Sequence, residues 1–152
     1  MKTKLLYFLL LAFVVLSCSD EDKNPDKTLI GTWELVTKGS EFDGASTFEI
    51  IADGTIKGMN TIRKKDSRTV LGYQSVFSGT YSNEGSILIV KKNESAFLTN
   101  PDFDYVDKED LTSIEGYLED DRYNINDNFS KLYYSCPPNA LCSPPKPYLK
   151  IK

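Results

Sequence analysis

Nine short runs of alternating apolar and polar residues, most of them separated by tight-turn signals, restrict this chain to few folds. At 31–38, GTWELVTK sets Trp33 and Leu35 against Glu34. At 46–52, STFEIIA puts Phe48 and Ile50 on one face. Asp53-Gly54 then supplies the positive φ of a tight hairpin, and 55–62 returns with Ile56 and Ile62 together. Residues 71–81 place Tyr73, Phe77 and Tyr81 on one side, and Asn83-Glu84-Gly85 turns the chain into the apolar run at 86–92. Further runs fall at 111–118, 122–125, 129–135 and 148–151, with turns at Asp120-Asp121 and Asn126-Asp127-Asn128. Residues 93–110 read as a long loop or a short helical turn. Side chains alternate with period two in strands, and almost no helical period is present, so the body is all-β. Such a meander predicts an antiparallel up-and-down barrel of eight to nine strands, because closure leaves no exposed sheet edge. A β-sandwich is the alternative.

The chain start is of another kind. Lys2 and Lys4 precede twelve unbroken apolar residues, 5–16. A bilayer-spanning helix needs about 20, so this run has the length of a signal-peptide core. It ends in Val15-Leu16-Ser17-Cys18, which resembles a bacterial lipobox. That resemblance implies cleavage before Cys18 and an acyl (palmitate) modification of it. Two or more chains, at about 0.8 kcal/mol per buried methylene, hold a protein firmly on a membrane. Ser19-Asp20-Glu21-Asp22 resembles the acidic export tag that follows the cysteine in Bacteroidota lipoproteins. The tag implies display on the outer face of the outer membrane, at the cell surface. The expected organisation is a signal peptide at 1–17, a lipidated cysteine with a flexible acidic tether at 18–28, and one barrel domain at 29–152.

Charge and missing residues narrow the function. Without the two leader lysines, the 18 basic residues become 16 against 22 acidic, a net charge of −6. This excludes nucleic acid, whose phosphates attract basic patches. It also disfavours lying flat on an anionic membrane. The basic cluster Arg63-Lys64-Lys65 with Arg68 reads as a solvated turn. The chain has no histidine, which removes Ser-His-Asp and Cys-His catalysis and histidine metal ligation. No nucleophile-elbow, S-x-x-K or phosphate-loop motif occurs either, so no enzymatic activity is expected. With Cys18 lipidated, Cys136 and Cys142 remain, and an oxidising compartment is expected to join them across CPPNALC.

Gly31-Thr32-Trp33 resembles the G-x-W opening of lipocalin-type barrels. The order of tether, GTW strand, hairpin, Gly79-Thr80-Tyr81 strand and late hairpin resembles small lipocalin-like lipoproteins of the Bacteroidota type. The resemblance implies that Trp33 closes one end of the barrel. In lipocalins an arginine near the last strand often covers this tryptophan. No arginine follows Arg122 here, so either Lys131 or Lys150 takes that place or the cover is absent.

Two clusters are candidates for contact with other molecules. Tyr73, Phe77 and Tyr81, with Tyr123 from the group Tyr123, Tyr133 and Tyr134, either pack the barrel wall or line an apolar pocket with phenol hydroxyls as orienting groups. Asp102, Asp104, Asp107, Glu109 and Asp110 form the densest acidic stretch. Their spacing fits no EF-hand and lacks its turn glycine, so a solvated loop is the expectation, with no metal and no cofactor. The function expected first is non-catalytic binding of a small apolar or amphipathic ligand. The alternative is a surface accessory protein with a side-chain-filled barrel and a protein partner.

Overall fold

The structure is a computed structural model, and it describes residues 29–114, 120–126 and 128–152. The lipobox with Cys18 and the tether lie outside the described residues. Among the described residues nine strands follow in order: β1 (Gly31–Lys38), β2 (Phe42–Ile50), β3 (Thr55–Lys64), β4 (Val70–Glu84), β5 (Ile87–Phe97), β6 (Thr112–Ser113), β7 (Asp121–Ile125), β8 (Lys131–Tyr134) and β9 (Pro147–Lys150). β1 to β5 each pair antiparallel with the next strand, β5 continues to β7, and β7, β8 and β9 follow in turn. β9 returns to β1 through Trp33↔Lys150 and Glu34↔Leu149. Eight strands thus close an up-and-down barrel. The two-residue β6 is an extra strand on the far half of β5, at Ala96 and Phe97.

The hairpins follow from local chemistry. At Ala52-Asp53-Gly54, Gly54 has φ +89°. The Asp53 carboxylate accepts from the Thr55 N–H at 2.9 Å and from its hydroxyl at 2.6 Å. These bonds hold the Asp53 carboxyl below the usual carboxylate range. Gly85, at φ +62°, makes the β4–β5 turn in the same way.

Alternation decides what is buried. Trp33, Phe48, Ile50, Ile56, Leu88, Val90, Tyr123, Ile125, Leu132 and Tyr148 form one core with Leu29, and Leu35, Phe77, Tyr81, Phe129 and Tyr134 pack against it. Loops divide between two ends. The chain enters beside Leu29 and leaves there too, since Thr32 N–H donates to the Lys152 carbonyl at 3.0 Å. The β1–β2, β3–β4 and β8–β9 connections and the stretch after β5 lie at the opposite end.

Four expectations change. β4 carries one residue more than β3 at Gln74, because Asn60 pairs with Ser75 but Thr61 pairs with Tyr73. A one-residue bulge flips every side chain beyond it. Tyr73 therefore shares the outer face with Thr61 and leaves the stripe of Phe77 and Tyr81. β5 runs on to Phe97, absorbing Asn93 as a bulge, so the irregular stretch begins at Leu98 and holds a 3-10 turn at Lys108–Asp110. Arg63 and Lys64 belong to β3 and not to a turn. The run at 111–118 pairs as strand only at Thr112–Ser113, and 115–119 lie outside the described residues.

Candidate functional site

The barrel floor is built on β1. Trp33 is fully buried, and its indole N–H donates to the Leu29 carbonyl at 2.8 Å. The Lys150 ammonium sits 5.8 Å from the ring centroid. Pairing of β9 with β1 puts Lys150 directly opposite Trp33, so the cation covers the ring.

Above the floor, four aromatic rings meet across the lumen. Phe48 of β2 lies 5.4 Å from Tyr123 of β7 and 5.0 Å from Tyr148 of β9. Tyr123 also meets Tyr148 edge-on at 5.6 Å and Tyr134 of β8 at 5.7 Å. Tilted and edge-to-face pairs at these distances are the favoured packings of aromatic rings. The Tyr148 and Ser46 hydroxyls are 2.7 Å apart, which satisfies a polar tip inside the barrel. Burial pushes the Tyr123 phenol well above its ordinary pKa and that of Tyr148 up as well, so both stay neutral at physiological pH.

The same wall carries a polar pair. Lys92 Nζ reaches Asp121 at 2.8 Å and lies 5.4 Å from the Phe77 ring centroid. Tyr123 Oη donates to Asp121 at 3.4 Å. The Phe77 ring lies over Gly58, where a Cβ would come within 2.1 Å of it. At the far end, Val106 bonds to Tyr73 in both directions (2.8 and 3.1 Å) and so fastens the long loop onto β4. The Tyr105 ring then rests on Gly72 and meets Phe42 edge-on at 6.1 Å.

Of the candidate pocket residues, Phe77, Tyr81 and Tyr123 join the interior packing and Tyr73 does not. Sequence reasoning missed Phe48 and Tyr148 as partners of Tyr123. It also missed Lys92 and Asp121, which the pairing of β5 with β7 brings together.

The described residues also form two clefts. The larger, about 1020 Å³, crosses the outer face of β2 to β5, with Met59, Val76 and Ala96 at its centre and Glu49, Lys57 and Glu94 along one side. Register explains the apolar centre, since Met59 pairs with Val76 and Val76 with Ala96. The smaller, about 420 Å³, is walled by Leu98, Phe103, Tyr105, Val106 and Asp110 of the long loop. Among the described residues no three carboxylates or thiols converge as a metal site requires.

The outer face also holds a shielded ion pair. Arg63 Nη2 meets Glu34 Oε2 at 2.6 Å, with side chains only 12% and 9% exposed. Nearby, Asp43 accepts from Lys38 Nζ at 2.7 Å and from the Asp66 N–H at 2.9 Å. The Lys38 bond foremost holds the Asp43 carboxyl below its usual range. Between β8 and β9, Cys136 and Cys142 form a disulfide, with Cα atoms 6.1 Å apart.

No protein-family model, curated protein or solved structure matches the chain.

Proposed function

We propose that this chain is a lipid-anchored, lipocalin-like lipoprotein of the outer membrane, with Cys18 as its anchor. Its barrel is filled by its own side chains, and it acts without catalysis through its outer surface. The observation that carries this reading is the ring cluster of Phe48, Tyr123, Tyr134 and Tyr148, which occupies the lumen where a carrier would hold its ligand. Barrels of about eight strands are either filled in this way or hold one small molecule. With the lumen filled, surface accessory function ranks above transport of a ligand inside the barrel.

A second reading keeps a small amphipathic ligand but moves it outside. The groove over Met59, Val76 and Ala96 has the volume of a small-molecule site and mixes apolar floor with charged sides. Native mass spectrometry of residues 19–152, after incubation with extract of the producing cell, separates the two. The filled-barrel reading expects the mass of the protein alone. An added mass of a few hundred daltons that disappears in Met59→Glu would put a ligand in the outer groove. An added mass unaffected by Met59→Glu would overturn the filled barrel.

A further inference from the structure

The β8–β9 hairpin differs in charge from the rest of the chain. Residues 131–152 contain Lys131, Lys146, Lys150 and Lys152 and no acidic residue, in a chain of net charge −4. The outer side of this hairpin is also apolar: Leu149 is 48% and Ile151 42% exposed. Its loop carries Leu141, whose side chain has no cover at all (107%). That loop is stiffened by the Cys136–Cys142 disulfide, by Pro137, Pro138, Pro144 and Pro145, and by a turn in which the Ala140 N–H donates to the Pro137 carbonyl at 3.2 Å. A leucine held outward on a stiff loop loses little conformational entropy when it docks.

The complement lies elsewhere on the same chain. The loop after β5 carries Asp102, Asp104, Asp107, Glu109 and Asp110 against Lys108 alone. Within it is the apolar-walled cleft of Leu98, Phe103, Tyr105 and Val106, with Phe103 56% exposed. A projecting leucine beside Lys146, on a connection without acidic residues, complements in charge an apolar cleft set in an acidic loop.

We propose that the Leu141 loop of one copy docks in the Phe103–Val106 cleft of a second copy, with Lys146 of the same connection facing the acidic loop. The contact joins two different surfaces, so copies add head to tail unless the rotation between them closes a ring. It rests on the reading that the outer surface is the working surface, and it names the partner of that surface.

Sedimentation velocity over a range of protein concentrations tests it. The barrel closes within residues 31–150, so the chain from residue 19 can be used without its lipid. The wild type is expected to associate as concentration rises, and less so as salt is added. Leu141→Asp and Phe103→Asp, each at an exposed position, are each expected to weaken association by about tenfold or more, with an unchanged circular-dichroism spectrum. Mixing the two variants should restore association, because each retains the surface the other lacks. A wild type that stays monomeric throughout, or association that neither substitution weakens, would overturn the proposal. A monomer that binds vesicles of anionic lipid through Leu141 would overturn it too, assigning the hairpin to a membrane. None of these results bears on whether the lumen is filled, which ligand binding inside the barrel reports separately.

Discussion

Trp33→Ala should lower the free energy of unfolding by about 3–5 kcal/mol, the range for deleting a buried large aromatic side chain. Trp33 has no exposed surface and closes the end of the barrel where the chain enters. Its removal leaves a cavity within the core cluster that includes Leu29, Ile50 and Ile56, and it deprives the Leu29 carbonyl of its donor. The walls around it are hydrogen-bonded strands, so they cannot collapse far into the space. Domains of this size hold about 5–15 kcal/mol in total, so the loss is a large part of the whole. Trp33→Phe keeps a ring but removes the indole N–H, and should cost less than half as much. Urea unfolding followed by circular dichroism measures both. A loss under about 1 kcal/mol for the alanine variant would mean that Trp33 is not what closes that end.

The second large effect belongs to the ion pair on the outer face. Glu34→Ala is expected to cost about 3 kcal/mol, the low end of the range for breaking a buried pair, since both partners keep a little exposure. The cost comes from stranding the Arg63 charge, not from losing the attraction itself. Among the described residues Arg63 would keep only a long bond to the Thr47 hydroxyl at 3.4 Å, and its Nε already has no partner there. Adding Arg63→Leu to a Glu34→Met variant should therefore recover most of the loss, because apolar side chains of similar size can fill a shielded site. Stability of the two single variants and the double, by urea unfolding, completes the cycle. If the double variant is as unstable as the sum of the singles, the two residues act independently.

Most of the strand order was readable because it depends on local signals. GTWELVTK is strand over its full length, and Asp53-Gly54 turns where glycine and the Asp53 carboxylate dictate. The barrel also follows, since short antiparallel neighbours leave an edge unless the last strand meets the first. What could not be read depends on residues far apart in the chain. The bulge at Gln74 is set by pairing between β3 and β4, and it moved Tyr73 to the other face. Arg63 looked like part of a solvated cluster because its partner, Glu34, stands 29 positions earlier. The lumen gives the sharpest example: Phe48, Tyr123 and Tyr148 come from β2, β7 and β9, and only closure makes them one layer. Lys150 was one of two lysines expected over Trp33, and the β1–β9 register selects it.

The filled lumen can be probed from inside, because Trp33 is the single tryptophan of the chain. Its fluorescence should be recorded while residues 19–152 are titrated with a long-chain fatty acid brominated along its tail. Bromine quenches an indole only at close range, so a chain inside the barrel would report itself. The expected result is an emission intensity that stays constant through the titration. Saturable quenching of Trp33 would contradict it and would place an apolar ligand inside the barrel.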